Sequence, residues 1–398
     1  MTRKRKHIVF TLLLQLFAFS MCACDISNQK TESNHFDRTE IFISRLETYN
    51  DIGMTHIDGR NILHFYDPES NNAIALCAKP NCEHLGESRN NPNPTCDAYV
   101  QGTVFGPAII NNKLYYLVSP PYTQDNPNGY YHQEFYQADV NGTNREKIAE
   151  VDDIPGFYMG IYENGYLACT YMNDSDVSGA SLEKQEAGIC LLNLDTKKLN
   201  RIYKRDHYEG CIHDVMIRNG KLYYIYTYTT EKLDFSDLNE IMTEEFQKHM
   251  NTVSQIELWK YNIDTGEEEL VWQNGGTMLY HLAYGYLVDI EEENAYLLNV
   301  ETNERIELEH DLVMKKGISI CEDGIIIVGD GQVTFWDYQL KSMENIGTYK
   351  EEQDFFLASV TDKWVYSMYL SDGEYLPGCI SREKFMNGDF NWMSISTK

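Results

Sequence analysis

The feature that most constrains this chain is a short unit that recurs along most of its length. A turn sequence followed by a strand rich in tyrosine or β-branched residues occurs seven times. The copies are IDGRNILHFY from Ile57, NNKLYYLV from Asn111, ENGYLACTY from Glu163, RNGKLYYIYTYT from Arg218, AYGYLVDI from Ala283, EDGIIIVG from Glu322 and TDKWVYSMYL from Thr361. Asn-Gly and Asp-Gly pairs adopt the positive φ of tight hairpins, and the flanking residues suit strands. The sequence therefore predicts a series of hairpins.

A second hairpin follows several copies of the first. Its copies are CLLNLDTKKLNRIY from Cys190, LWKYNIDTGEEELVW from Leu258, AYLLNVETNERIEL from Ala295 and, more loosely, FYQADVNGTNREKI from Phe135. In these hairpins an Asn or acidic side chain can accept hydrogen bonds from nearby amides and close the turn. Two hairpins in roughly 40–60 residues make the four antiparallel strands of a propeller blade. We therefore predict an all-β fold: a single β-propeller over residues 41–398, with about seven four-stranded blades and six or eight as alternatives.

The predicted ring must also be closed, because an open sheet edge invites aggregation. We expect the last blade to borrow a strand from the opposite terminus, either IFISRLE at Ile41 or NWMSIS at Asn391. Strands such as LYYIYTYT are apolar on both faces, as packing between neighbouring blades requires.

One segment departs from the repeat. LDFSDLNEIMTEEFQKHMNTV, which starts at Leu233, carries apolar residues at helical spacing after a candidate cap at Ser236. These apolar residues are Leu238, Ile241, Met242 and Phe246. The pattern predicts a short helical insertion near residues 234–250, within the fourth blade.

The N-terminus has the three parts of an export signal. Four basic residues precede an apolar run from Ile8 to Phe19, which is too short to be a typical membrane span. The tetrad MCAC, in which Ala23 precedes Cys24, resembles the lipobox of bacterial lipoproteins, whose cysteine is diacylated and becomes the mature N-terminus. We predict a signal peptide at residues 1–23, a lipid anchor at Cys24 and an extracytoplasmic location at the cell membrane. Plain secretion and an uncleaved anchor are the alternatives.

Residues 24–40 are polar and are expected to form a flexible tether. The net charge of the whole chain is −28, and loss of residues 1–23 removes four basic and no acidic side chains, which leaves −32. A field of this sign repels nucleic acid, so no nucleic-acid partner is expected, and it attracts cations or basic partners. The simpler interpretation is that acidic surfaces keep exported proteins soluble.

The lipobox, the LYY strands and the NIDTGEEEL hairpin together resemble bacterial surface lipoproteins with low-density-lipoprotein-receptor-type β-propeller repeats. Most members of this group have no known function, and the resemblance implies a membrane-anchored propeller without a specified activity. The segment LCAKPNCEHLG to PTCDAY is also similar to a cysteine–histidine stretch in such lipoproteins.

That segment carries the strongest candidate site. Cys77, Cys82, His84 and Cys96 lie within 21 residues, and zinc prefers four thiolate and imidazole ligands. The spacing C-x4-C-x-H-x11-C is not that of a standard zinc finger. Because the protein is expected to be exported, one disulfide with the third thiol elsewhere is the alternative to a structural zinc site. Both remain open at this point.

The other cysteines after the lipobox lie in or beside predicted strands, where a free thiol packs as a small apolar group. They are Cys169, Cys190, Cys211, Cys321 and Cys379. A bridge between Cys169 and Cys190, which flank one loop, is an alternative.

A second candidate site is the loop NDSDVSG. Asp174, Asp176 and Ser178 alternate as in the opening of a calcium loop. Position twelve is Gln185 instead of the usual bidentate Glu, so the match is weak and an ordinary polar loop is the favoured interpretation.

Common catalytic motifs are absent from the sequence: it contains no HExxH, GxSxG or P-loop pattern. His56, His213 and His281 lie in strands of the repeats but at non-equivalent positions, which favours structural roles. We expect a non-catalytic binding or sensing module for a glycan, peptide or protein partner. The alternatives are a polysaccharide-active or peptide-active propeller enzyme and a structural component of a surface complex.

Overall fold

The protein is a seven-bladed β-propeller. The computed structural model describes residues 28–30, 38–43, 47–121, 131–173, 186–204, 207–233, 243–275, 280–290, 295–308 and 317–395. These residues form seven four-stranded antiparallel blades arranged in a ring, and an additional N-terminal strand joins the first and third blades into one sheet. The predicted fold class and blade number are therefore confirmed.

Each blade is formed by four consecutive strands of the chain. The first three blades comprise β3 (Glu47–Asn50), β4 (Gly53–Ile57), β5 (Leu63–Asp67) and β6 (Asn72–Ala75); β7 (Thr103–Ile110), β8 (Lys113–Ser119), β9 (His132–Asp139) and β10 (Glu146–Asp152); and β11 (Gly160–Glu163), β12 (Tyr166–Asn173), β13 (Glu186–Asn193) and β14 (Leu199–Lys204). The fourth and fifth comprise β15 (Tyr208–Arg218), β16 (Lys221–Thr229), β17 (Ser254–Asn262) and β18 (Glu268–Gly275); and β19 (Tyr280–Ala283), β20 (Tyr286–Ile290), β21 (Ala295–Asn299) and β22 (Arg305–Leu308). The sixth and seventh comprise β23 (Gly317–Ile320), β24 (Gly324–Gly329), β25 (Gln332–Asp337) and β26 (Ser342–Thr348); and β27 (Phe355–Val360), β28 (Trp364–Ser371), β29 (Glu374–Ser381) and β30 (Met393–Ser394).

The core consists of seven apolar layers, one between each pair of neighbouring blades. The tyrosine-rich strands supply both faces of a blade. In β16, Tyr224 packs toward the third blade and Tyr223 toward the fifth, and both side chains are fully buried. This two-sided burial is why these strands lack the apolar–polar alternation of a half-exposed sheet.

The hairpin turns have the backbone angles and side-chain hydrogen bonds that the sequence predicted. Asn164 and Asn219 adopt φ of 51° in the first hairpins of their blades, each followed by a glycine at positive φ. In the second hairpins, Asn262 Oδ1 accepts hydrogen bonds from the amides of Asp264 and Thr265, at 3.0 and 3.1 Å. Residues 57–62, one of the seven turn copies, instead join β4 to β5, and the first hairpin of that blade turns at residues 50–53.

The two faces of the disc carry different loops, because successive strands alternate in direction. First and second hairpin turns of every blade emerge at one face, here called the hairpin face. Loops between the second and third strands, and connections from one blade to the next, emerge at the opposite face, here called the crossover face.

Ring closure differs from the expectation. NWMSIS contributes β30, which pairs with β29 as the outermost strand of the seventh blade. IFISRLE contributes to β2 (Arg38–Ile43), which pairs with β11 of the third blade and, through Ile43, with Thr48. The prediction of a strand borrowed by the last blade is therefore wrong for the described residues. The seventh blade needs no borrowed strand because its own segment supplies four.

Blades one and seven are instead joined by side chains. Their shared layer contains Tyr49, Tyr66 and Tyr366 together with Met54, Cys379 and Ile395. Tyr366 donates a hydrogen bond of 3.1 Å to the Asn50 carbonyl, and the Lys363 amide donates one of 2.9 Å to Asp51 Oδ1. This layer is called the seam below.

Two strands lie within or beside the segment expected to be a tether. β1 (Asn28–Lys30) pairs antiparallel with β2. The predicted boundaries at residues 23 and 40 remain expectations, although part of residues 24–40 has strand pairing.

The helical insertion is present in the fourth blade. Helix α1 (Glu244–Val253) precedes β17, and Thr243 caps it by accepting a hydrogen bond from the Phe246 amide. Leu238, Ile241, Met242 and the expected cap Ser236 lie outside the described residues, and that part of the prediction is not tested. A second short helix, α2 (Arg382–Met386), lies between β29 and β30 and was not predicted. None of the helices in the described part of the chain has the length and apolar character needed to span a membrane.

Candidate functional site

The Cys–His cluster lies on the crossover face. Residues 76–102 connect the last strand of the first blade to the first strand of the second. Cys77, Cys82, His84 and Cys96 all belong to this loop and define the Cys–His cluster. The structure therefore brings together all four residues that the sequence singled out.

The cluster has the spacing of a four-ligand metal site. Its three sulfur atoms and an imidazole nitrogen all lie within 4.8 Å of one another. His84 Nδ1 is 3.5 Å from Cys96 Sγ. A tetrahedral zinc ion at usual bond lengths separates a sulfur and a nitrogen ligand by roughly 3.6 Å. The donor set and its dimensions thus fit zinc.

Backbone contacts brace the loop that carries the cluster. The Leu63 amide donates to the Ala98 carbonyl at 2.9 Å, and the Val100 amide donates to the Asn61 carbonyl at 3.0 Å. Arg145 of the second blade donates to the carbonyls of Tyr99 and Asp97. The loop is therefore fixed at its far end by two blades.

The inner turn of the loop depends on unusual backbone conformations. Asn81 and His84 adopt φ of 57° and 50°. At Gly86, a Cβ atom would lie 2.2 Å from the Arg60 carbonyl oxygen, so no side chain fits there. His84 and Cys82 are thus set by a turn that is held against the first blade.

The electrostatics of the cluster favour a cation. Burial raises the pKa of Cys77, but hydrogen bonds from the Lys79 and Asp97 amides outweigh it, and the pKa falls below its ordinary value. Burial raises the pKa of Cys96 to about 12. Burial thus disfavours the thiolate form of Cys96, and a coordinated metal ion would favour it.

None of the cysteines in the described part of the chain forms a disulfide. Cys169 and Cys190 lie directly opposite each other on β12 and β13 and are fully buried. Cys321 and Cys379 are also fully buried, whereas Cys211 is half-buried. The core role predicted from the sequence fits four of these five residues best.

A row of polar side chains lies near the cluster in the first blade. Glu47, His56 and His64 are directly opposite one another on β3, β4 and β5, and together they are called the histidine row. The two imidazole rings are stacked, with centroids 5.1 Å apart and planes 13° from parallel. His64 Nε2 lies 3.3 Å from Asp58 Oδ2. Sequence analysis named only His56, because register is needed to place the other two beside it.

His56 has no hydrogen-bond partner at either ring nitrogen, although it is only 6% exposed. Burial lowers its pKa to about 4, and His64 adds to this shift. Burial likewise raises the pKa of Glu47. A buried, unpaired imidazole costs free energy on the order of 1–3 kcal/mol, so it requires an explanation.

In the fourth blade, His213 lies beside a cysteine on the same strand. His213 Nδ1 is 3.8 Å from Cys211 Sγ, and His213 Nε2 is 2.9 Å from Thr227 Oγ1. Burial lowers the pKa of His213 to about 4, which disfavours a thiolate–imidazolium pair. On the same strand, burial raises the pKa of Glu209 to about 7. His281 contributes a favourable charge interaction to Asp214 on the neighbouring blade.

A further group of potential metal ligands was missed by the sequence analysis. Atoms of His132, Glu134 and Glu150, on β9 and β10, lie within 4.8 Å of one another. Lys147 Nζ lies 3.0 Å from Glu134 and 2.5 Å from Glu150. The ammonium group therefore already occupies the position that a cation would take. The signal was hidden because it depends on cross-strand register.

Two predicted sites lie outside the described residues. The lipidation site Cys24 is one of them, and the calcium-loop residues Asp174, Asp176 and Ser178 are also among the residues not described. These predictions stay as they were.

Comparison with known proteins finds no sequence relative and gives distant structural likenesses. No protein family matches the sequence, and no curated protein matches it. Among solved structures, the β-propeller domain of the Trilobed protease from Pyrococcus furiosus, reported to have an open velcro topology, is 9% identical, with a TM-score of 0.45, over 94% of this chain and 96% of that one. Dipeptidyl peptidase 4 of Porphyromonas gingivalis is 9% identical, with a TM-score of 0.47, over 89% of this chain and 60% of that one.

An acylaminoacyl peptidase from Pyrococcus horikoshii is also similar. It is 11% identical, with a TM-score of 0.45, over 74% of this chain. This chain spans about half of that peptidase's length, at 46% coverage. The likeness to these structures is distant, and no activity follows from it.

Proposed function

We propose that this protein is an exported lipoprotein, anchored at Cys24, whose propeller binds an extracytoplasmic partner without catalysis. In this proposal a structural zinc ion at the Cys–His cluster shapes the loop of residues 76–102 on the crossover face. The convergence of four zinc-type ligands within 4.8 Å is the observation that carries it.

The zinc ion would act as a clamp for a loop with little core of its own. Only Cys96 is buried among the four ligands, whereas Leu85 in the same loop is 48% exposed. Coordination would join residues that are up to 19 positions apart in the chain. A loop held in this way can present a fixed surface to a glycan, peptide or protein.

Metal analysis tests the proposal directly. Protein purified under reducing conditions is expected to contain zinc, with its cluster thiols protected from alkylation. Cys82→Ser should lose the metal and expose Cys77 and Cys96 to the reagent, whereas Cys211→Ser, a half-buried thiol outside the cluster, should keep it. A metal-free protein with two oxidised cluster thiols would establish the disulfide alternative.

The anchor and the binding role need separate experiments. Metabolic labelling with palmitate should mark the wild-type chain and Cys22→Ala but not Cys24→Ala. Screening of cell-surface glycans and peptides should give binding that Cys82→Ser weakens. Turnover of a bound polysaccharide or peptide would instead support the enzyme alternative.

A further inference from the structure

The seventh blade extends beyond the first blade at the crossover face. The hairpin turns of the two blades lie side by side, because the Lys363 amide donates to Asp51 Oδ1 at 2.9 Å. From that level, β28 and β29 have eight residues each, whereas β4 and β5 have five each. The difference of three residues corresponds to about 10 Å of strand. The crossover ends of β28 and β29 therefore project past the strands of the first blade.

Three large apolar side chains are exposed on this projecting part. Met368 lies two positions after Tyr366 of the seam, so it faces the first blade as Tyr366 does. Phe356 is directly opposite Met368, and the Tyr375 ring centroid lies 5.1 Å from that of Phe356. Phe356, Met368 and Tyr375 are 40%, 37% and 41% exposed, and together they are called the overhang patch. Single exposed apolar residues are normal, but a contiguous group marks a candidate interaction surface.

The loops that border the overhang patch are strongly acidic. Residues 350–354 and 371–374 carry five acidic residues and one lysine. That lysine, Lys350, lies 3.7 Å from Glu352. Asp354 Oδ2 accepts a hydrogen bond of 2.9 Å from Tyr375 Oη, so a carboxylate lies at the edge of the aromatic pair. The patch thus combines exposed aromatic rings with a negative border.

We propose that the overhang patch binds a basic peptide segment of a partner protein, with a lysine or arginine side chain against Phe356 and Tyr375. The proposal rests on the binding role proposed above and specifies the partner. The two rings are inclined at 51° with centroids 5.1 Å apart, so one cation can lie within about 6 Å of both. The bordering carboxylates add a charge attraction that also steers the peptide toward the patch.

Charge distinguishes this occupant from the others. A second copy of this chain carries the same net charge of −28 and would be repelled. Anionic lipid headgroups and acidic glycans would be repelled for the same reason. A neutral glycan can stack on aromatic rings but would gain no charge attraction from the border. A basic peptide segment matches both the rings and the carboxylates.

Fluorescence anisotropy with labelled ten-residue peptides and the full mature chain tests the proposal. One peptide carries three lysines among glycine and serine residues, and two matched peptides carry arginine or acetyl-lysine at the same positions. The lysine and arginine peptides should bind, whereas the acetylated peptide, which lacks the charge, should bind about ten-fold more weakly. Asp372→Asn and Glu374→Gln should each weaken binding at low salt and have less effect at high salt.

Phe356→Leu and Tyr375→Leu separate this site from general attraction to an acidic protein, because they keep an apolar side chain and every carboxylate. Each should weaken binding of the lysine peptide by about 3–10-fold, the size of one cation–π contact. Tyr203→Leu is the matched control, since Tyr203 is 49% exposed on β14 of the third blade, and it should bind as the wild type does. Unchanged affinity in both folded leucine variants, or equal binding of the acetylated peptide, would overturn the proposal.

The same measurements separate this inference from the proposed function. If the lysine peptide does not bind, while a glycan or neutral peptide binds and Cys82→Ser weakens it, the basic partner is wrong and the proposed function stands. If the lysine peptide binds at the overhang patch while metal analysis finds no zinc at the Cys–His cluster, the inference stands and the zinc clamp fails.

Discussion

The seam between the first and seventh blades should be the place where the ring opens first. Tyr366 is fully buried there, its ring centroid lies 4.8 Å from that of Tyr49, and its hydroxyl donates to the Asn50 carbonyl at 3.1 Å. Tyr366→Phe keeps the ring but removes this buried hydrogen bond, which should lower the free energy of unfolding by about 1 kcal/mol. Tyr366→Ala adds a cavity and should cost about 3–5 kcal/mol.

Urea denaturation measures the total loss, and hydrogen exchange locates it. In Tyr366→Phe, amides of β3–β5 and β27–β29 should exchange faster, while those of the third to fifth blades keep their wild-type rates. Tyr223→Phe is the control, because Tyr223 is equally buried between the fourth and fifth blades and has no seam contact. An equal rise of exchange in all seven blades would refute the idea that closure by side chains alone makes the seam the weak point.

Three further changes test other parts of the structure. Burial lowers the pKa of His213 to about 4 from its ordinary 6.5, so between these pH values the side chain takes up a proton when the protein unfolds. The free energy of unfolding should therefore fall by up to about 3 kcal/mol as the pH drops from 6.5 to 4. His213→Gln should flatten this dependence in acid titrations followed by circular dichroism. Gly86→Ala places a methyl group 2.2 Å from the Arg60 carbonyl oxygen and should loosen the loop that carries the Cys–His cluster. Alkylation of Cys77 and Cys82 should then be faster, and an unchanged rate would mean that the loop tolerates the methyl group. Thr243→Ala removes the cap of α1 and should destabilise that helix by about 1 kcal/mol, measured by amide exchange, with Thr252→Ala near the other end as a control.

The repeat predicted the blades because the hairpin signals are local. Asn-Gly at Asn164 and Asn219 fixes a turn from two residues, and the turn fixes which strands pair. The position of the N-terminal strand could not be predicted in this way, because β2 pairs with β11 across more than a hundred residues. The last strand, β30, pairs locally with β29 of its own blade. Residues 57–62 show a related limit, because their Asp-Gly sequence resembles a hairpin turn but lies in a loop at the crossover face.

The candidate sites also differ in whether their residues are close in sequence or are brought together by strand pairing. The ligands of the Cys–His cluster lie in one loop, so their convergence followed from spacing and residue type. The histidine row was not visible, because Glu47 and His64 join His56 only through strand register. The group at His132 is hidden for the same reason, since Glu134 and Glu150 are opposite each other on separate strands.

The four strands of each blade come from one uninterrupted stretch of the chain, and among the described residues only the added pairing of β2 with β11 joins a blade to a distant segment. A nascent polypeptide can therefore fold one blade after another as it is synthesised, before its C-terminus is available. The last step would be the docking of the seventh blade against the first, which needs little backbone rearrangement and forms the tyrosine contacts between them.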